Sequence, residues 1–353
     1  MNYQGRAAAI LFFCLLLFAR PAAAGKPVTY NVLPYAFYDS SIGTMGGLFG
    51  AGRNFLQQDE LLNVYLNLVD SGAKEFNLAG AWPSKELRYD HEKTPLAFDA
   101  ELSVGTAIND RFYGLGMGTS DKQYSSYNNN YANLRLFLTK PVSKQLRLGL
   151  KLHSSNNQLF KINNQLNPIT TGIEDQLRNY QVMSFFLKGE EFDNPLNPSN
   201  SWGMMNSIDF GFNSASFVRW KAELTRTVPL FLTDHALASR LTIIQLSGDK
   251  IPLYEYATLG GRDNLRGYPW YRFRGKGATM ANLEYRFPLI WALGGVLLLD
   301  SGRVYDEAEN FDLGWATNYG FGLRLYLPTM TLRADYSLGN EGGFVTFYYN
   351  HAF

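Results

Sequence analysis

Gly260-Gly261-Arg262-Asp263-Asn264-Leu265-Arg266-Gly267-Tyr268 is the stretch on which the reading of this chain turns. It sets an arginine on a glycine-rich loop. Downstream come Leu283-Glu284-Tyr285-Arg286-Phe287-Pro288 and then Leu299-Asp300-Ser301-Gly302. A loop cation with acids on two nearby strands can tie a long loop to the inside wall of a barrel.

The flanking sequence supports a barrel. Ala281, Leu283, Tyr285 and Phe287 alternate with Asn282, Glu284 and Arg286. Leu146, Leu148, Leu150 and Leu152 alternate with Arg147, Gly149, Lys151 and His153. Trp220, Ala222 and Leu224 oppose Arg219, Lys221 and Glu223. Phe321, Leu323 and Leu325 oppose Gly322 and Arg324, and Leu332, Ala334 and Tyr336 oppose Arg333, Asp335 and Ser337. Period two sorts each set onto one face of a strand. A bilayer tolerates no open strand edge, so such a sheet closes into a barrel with an oily exterior and a polar lumen. The competing soluble sandwich fits less well, given the export signal and the number of long patterned segments.

Residues 1–24 read as that signal. Arg6 leads an apolar run from Ala7 to Ala19, and Ala22-Ala23-Ala24 offers small residues for cleavage before Gly25. The run is short for a spanning helix, and no second stretch of 18 apolar residues follows. Cys14, the only cysteine, lies inside the signal. A mature chain without disulfides suits the periplasm or outer membrane and excludes a small stapled domain. Removing Arg6 and Arg20 leaves 30 basic against 31 acidic residues, and no basic stripe marks a nucleic-acid partner. The 22 tyrosines suit membrane–water boundaries as well as strands.

The connectors suggest two unlike rims. Asp70-Ser71-Gly72, Lys140 to Lys144, Asp193 to Pro198, Pro229 to Asp234, Pro288 to Ala292 and Pro328-Thr329 read as short turns at one rim. Asn156 to Asn179, Gly248 to Lys276 and Arg303 to Tyr319 read as long loops at the other. Eight late strands are clear, centred on 204–212, 217–227, 237–246, 278–287, 293–300, 320–327, 330–337 and 344–353. About 329 residues follow Ala24. Sixteen strands then average about 20 residues each with their connectors, workable for spans of 9–11; twelve and fourteen are the other counts. Residues 25–41, with Pro27 and Pro34, read as an extended periplasmic lead-in. The barrel is expected over 42–353, with glycine-rich Gly43 to Gly52 read either as a first strand weakly held at the seam or as a flexible start to the barrel.

Four pieces in order resemble the Omp85 superfamily, whose bacterial members include D15-type surface antigens. Leu265-Arg266-Gly267-Tyr268 resembles the tip of the family's sixth extracellular loop. Glu284-Tyr285-Arg286-Phe287-Pro288 resembles the end of its twelfth strand, and Leu299-Asp300-Ser301-Gly302 its thirteenth-strand motif. Gly320-Phe321-Gly322-Leu323-Arg324 resembles its glycine-spaced fourteenth strand. Phe112-Tyr113-Gly114-Leu115-Gly116 is similar to a further stretch upstream. The resemblance implies an all-β, transmembrane antiparallel barrel in a Gram-negative outer membrane, its long sixth loop folded into the lumen. It implies that Arg266 meets Asp300, with Glu284 as second candidate, and that Gly302 belongs to the same motif. Guanidinium gives a rigid fork for a carboxylate. Gly267 permits a sharp turn against the wall, and Tyr268 packs with its hydroxyl paired.

The resemblance also implies a seam between first and last strands, the last running from Phe344 to Phe353. An opened edge exposes donors and acceptors that can template another strand. Assembly, insertion or translocation of proteins is the leading functional expectation. Lipid transport or remodelling, a passive pore, and a structural or dimeric surface barrel are the alternatives. The family's best-known members carry periplasmic POTRA domains, and none fits between Gly25 and Ser41. Outer-membrane lipids, unfolded barrel clients, and a separate periplasmic partner or second copy are the partners to test.

Enzyme signatures are weak. His91, His153, His235 and His351 lack metal-ligand spacing. Ser103-Val104-Gly105 lacks a nucleophile's strand–turn–helix setting. Gly46 to Gly50 lacks the Lys-Ser/Thr of a phosphate loop. Neither catalysis nor a cofactor is expected.

Overall fold

The computed structural model describes residues 27–55, 60–83, 96–163, 179–194, 196–306, 314–327, 330–349 and 353. The expected signal segment lies outside them. The strands are β1 (Thr29–Asp39), β2 (Gly43–Arg53), β3 (Leu61–Val69), β4 (Lys74–Trp82), β5 (Ala97–Phe112) and β6 (Ser125–Pro141). Next come β7 (Leu146–Asn163), β8 (Asn179–Phe192), β9 (Ser201–Asn213), β10 (Ser216–Pro229), β11 (Ala236–Lys250) and β12 (Ala257–Leu259). Last are β13 (Phe273–Gly275), β14 (Gly277–Ile290), β15 (Leu293–Tyr305), β16 (Ala316–Tyr326), β17 (Thr331–Gly339) and β18 (Gly342–Tyr349).

Sixteen of these close into one antiparallel barrel, each strand beside its neighbour in the chain. Between β11 and β14 the chain makes a long insert, where β12 and β13 form a separate two-stranded ladder. Period-two patterning accounts for the two faces. On β14, Asn282, Glu284 and Arg286 are buried while Ala281 and Leu283 are exposed. On β16 and β17, Asn318, Arg324, Arg333 and Asp335 are buried while Tyr319, Phe321, Leu323, Leu332 and Tyr336 face outward. An apolar exterior around a polar interior is the inversion a membrane barrel requires.

The ladders are unequal. β14 and β15 stay in register from Gly277–Tyr305 to Pro288–Gly294, with an irregularity before Ile290–Leu293. Among the described residues, β1 and β18 share a single registered pair, Asp39 opposite Thr346. The strands near that junction are also short. β1–β4 and β16–β18 run 8–11 residues, against 13–18 for β5–β11, β14 and β15.

Several expectations are corrected. Thr29–Asp39, read from sequence as part of a lead-in, is the first strand, and the glycine-rich segment is the second. Proline is tolerated on a strand with one nearly unpaired edge, so Pro34 fits there. Of the expected last strand, Gly342–Tyr349 is observed as β18 and Phe353 is not in a strand; residues 350–352 lie outside the described residues. Phe353 lies inside the barrel with its ring 4.8 Å from the Arg240 guanidinium, a cation–π contact. The turn Asp70-Ser71-Gly72 joins β3 to β4, so strand alternation places it at the rim of the long insert. Tight turns at 40–42, 214–215 and 340–341 share that rim, so loop length alone misassigns it. Asn156 to Asn163 extends β7 instead of opening a loop; residues 164–178 and 307–313 of the expected long loops lie outside the described residues.

Candidate functional site

The tip of the β11–β14 insert is built by its own backbone. Asn264 Oδ1 accepts the Gly260 amide at 2.7 Å, and Gly261 N donates to the Tyr268 carbonyl at 3.0 Å. Gly260 and Gly261 take φ of 113° and 99°, a region that disfavours side chains. Leu259, Leu265, Tyr268 and Phe273 then pack with Met280, Val304 and Ala316 of the wall. A Cβ at position 267 would run into Asn318 and come within 2.8 Å of the Gly339 nitrogen. A Cβ at position 302 would stand 3.0 Å from Leu259. Both glycines therefore set how closely insert and wall approach.

This packing delivers Arg266 to two carboxylates. Its Nε and Nη2 donate to the two oxygens of Asp300 at 2.9 and 2.7 Å. Its Nη1 donates to Glu284 Oε1 at 2.5 Å. Burial disfavours the arginine's charge, but Asp300 and Glu284 outweigh it and hold the pKa well above the ordinary range. Asp300 also accepts Asn282 Nδ2 at 2.7 Å and Asn318 Nδ2 at 2.9 Å. Glu284 Oε2 accepts Arg286 Nη2 at 2.7 Å, and Asp335 takes Arg324 at 2.5 Å. Each buried charge thus keeps an opposite charge or an amide donor, the condition under which a buried ion pair is tolerable. Tyr268 donates its hydroxyl to the Thr317 carbonyl at 3.3 Å and stands edge-on to Phe273.

The insert also touches both sides of the β1–β18 junction. Trp270 Nε1 donates to Asp39 of β1 at 3.2 Å. Arg272 pairs with Glu341, beside β18, at 2.7 Å. Arg262 lies 3.6 Å from the centre of the Tyr348 ring on β18 and 5.0 Å from that of Trp270. Across the junction itself, Phe37 and Tyr348 meet with ring centres 5.1 Å apart, and Ser40 N donates to the Val345 carbonyl at 3.0 Å.

The Phe112–Gly116 stretch leads from β5 into a loop over the insert. Gly116 N donates to the Arg274 carbonyl at 2.7 Å, and Arg272 donates to Thr119 Oγ1 at 2.7 Å.

The structure brings Arg266, Glu284 and Asp300 together, with Gly267, Tyr268 and Gly302 in the packing around them. Phe344 lies on β18, while Phe353 stands apart from that strand. Sequence reasoning missed Asn282, Asn318 and Asp335 as partners in the cluster. Their signal was available: each occupies an inward position on a period-two strand facing the insert. It also missed Trp270 and Asp39, 231 residues apart in sequence, for which no local signal exists.

Comparison with known proteins agrees with this architecture. The chain matches the Omp85 superfamily domain over residues 85–349. It belongs to that superfamily and is a β-barrel of the Gram-negative outer membrane. Its fold is similar to BamA from Haemophilus ducreyi lacking POTRA domains 1-3, at 13% identity and TM-score 0.69, covering 92% of this chain and 70% of that one. It is also similar to CdiB from Acinetobacter baumannii, at 17% identity and TM-score 0.63, covering 93% of this chain and 60% of that one. For CdiB from Escherichia coli the values are 13% and 0.64, covering 93% of this chain and 64% of that one. No curated protein sequence matches it. Omp85 barrels are assembly and transport proteins rather than enzymes.

Proposed function

We propose that this barrel assists insertion or translocation of other chains at the outer membrane by opening between β1 and β18. The single registered pair at that junction among the described residues carries the reading. Backbone groups with no ladder partner offer an edge on which an incoming strand can pair. The internal cluster has a supporting part: it anchors the insert to β14–β17 so that its outer residues can hold or release the junction. The client is an unfolded barrel, delivered by a separate periplasmic partner or received by a second copy.

Reconstituted liposomes test this. An unrelated outer-membrane barrel should fold faster with the protein present, read by heat-modifiable gel migration. A disulfide engineered through Ser40→Cys and Val345→Cys should abolish the acceleration, and reductant should restore it. Equal folding rates with and without the unlocked protein would remove the proposal.

Lipid remodelling is the second reading, favoured by the short strands beside the junction. A low wall creates a mismatch that thins the bilayer locally. Faster exchange of a labelled lipid between leaflets, without faster client folding, would favour it over insertion.

A further inference from the structure

On the wall opposite the arginine cluster, β5–β8, β10 and the stem of the insert enclose a chamber of about 510 Å³. That is the size of an ordinary small-molecule site. Its wall is ordered by internal hydrogen bonds. Asn129 Nδ2 donates to Asn157 Oδ1 at 2.9 Å, Asn157 Nδ2 to Ser155 Oγ at 2.9 Å, and Ser155 Oγ to Asn133 Oδ1 at 2.7 Å. Most of the charge is matched. Arg219 pairs with Asp209 at 2.6 Å and Glu255 at 2.8 Å, His153 lies 3.6 Å from Glu255, and Arg135 has Glu101 at 3.7 Å.

Two cations form no ion pair among the described residues, although Asp110 acts on Arg274, and Asp209 and Glu255 on Lys151, through space. Arg274, 1% exposed, donates Nη1 to the Leu253 carbonyl at 2.6 Å, and its guanidinium centre lies 4.9 Å from the Tyr271 ring. Its Nε and Nη2 have no hydrogen-bond partner among the described residues. Lys151, on β7, lines the same chamber and forms no ion pair among the described residues. Asp110 shares the space, but it accepts the Tyr254 hydroxyl at 3.5 Å and forms no ion pair with Arg274. Burial pushes the Tyr254 and Tyr271 hydroxyls above the ordinary tyrosine range, so both stay neutral donors.

A buried guanidinium held in place with two open donors is suited to an oxyanion, which accepts a fork of N–H groups. The amide, hydroxyl and tyrosine lining suits a polyhydroxylated body. We propose that this chamber binds a small free sugar bearing a phosphate or carboxylate. The anion seats on Arg274 and Lys151, and the hydroxyls meet Asn133, Tyr131 and Tyr254. The site is independent of the junction between β1 and β18.

Calorimetric titration of the detergent-solubilised full chain tests it, with glucose 6-phosphate, glucuronate, glucose and inorganic phosphate as probes. At least one acidic sugar should bind saturably, roughly tenfold or more tighter than glucose and inorganic phosphate. Lys151→Gln and Arg274→Gln should each weaken that binding about tenfold or more, with barrel folding checked by heat-modifiable migration. Lys151→Gln breaks no ion pair, so it guards against an Arg274→Gln variant that fails to fold. Three results would each overturn the proposal: no saturable binding of either acidic sugar up to about 10 mM, equal binding of glucose or inorganic phosphate, or unchanged affinity in folded Lys151→Gln.

Discussion

The wall formed by β14–β17 and the wall formed by β1, β2 and β18 are made of the same kind of strand, yet they are held in opposite ways. The first is registered along its length and carries a fully buried ion cluster: Arg266 is 3% exposed and Asp300 and Glu284 are 0% exposed. In the second, β1 is registered with β2 but meets β18 through one registered pair among the described residues, β2 is rich in glycine, and further contacts come from the insert. The two walls thus differ both in strand pairing and in what is packed against them from inside. Low stability concentrated in one element is the ordinary location of a moving part.

Arg266→Ala should show the largest effect in breaking that contrast. It leaves Asp300 and Glu284 buried without their shared cation, costing about 3–5 kcal/mol. Denaturant unfolding followed by heat-modifiable migration measures it, and a change below about 1 kcal/mol would mean the cluster is well hydrated. Next comes Asp300→Asn, which keeps the shape but loses the charge. It should cost about 1.5–3 kcal/mol. A double-mutant cycle with Arg266→Ala should give strong coupling, and additive losses would argue against a direct pair.

Trp270→Ala sharpens the contrast from the other side. It removes the hydrogen bond to Asp39 and should cost about 1 kcal/mol. Amides of β1 and β18 should then exchange faster, with β14 and β15 unchanged. Uniformly faster exchange would mean that the insert braces the whole barrel instead of the junction. Gly50→Ala should show the smallest effect and the opposite sign. A Cβ there meets nothing closer than 3.9 Å, so the variant should stabilise β2 by about 0.5–1 kcal/mol. Slower exchange in β1 would follow, and destabilisation would show that β2 depends on the backbone freedom of glycine at position 50.

The late strands were legible because their pattern is strong. Leu283 and Glu284, or Leu323 and Arg324, declare opposite faces to any reader who counts by two. The early strands were not legible for equally physical reasons. Gly43–Arg53 carries few large side chains, so its alternation has little amplitude. Tyr30, Val32 and Leu33 are all apolar and exposed although Val32 and Leu33 point to opposite faces, so Thr29–Asp39 reads as a continuous run instead of an alternating strand. The rim positions failed because a tight turn such as Ser71-Gly72 has the same local chemistry at either end of a barrel.

Amino-acid sequence by itself determined the class of this protein: period-two strands with oily outer faces must close in a bilayer, and Arg266, Glu284 and Asp300 have the chemistry of a buried clamp. Only the tertiary structure decided which strands meet at the junction, that Phe353 sits inside the barrel, and that Trp270 reaches Asp39. Alternation is a property of neighbours in the chain, set by backbone geometry. Closure and cross-lumen contacts join residues hundreds of positions apart, and they exist only once every intervening strand has fixed its register.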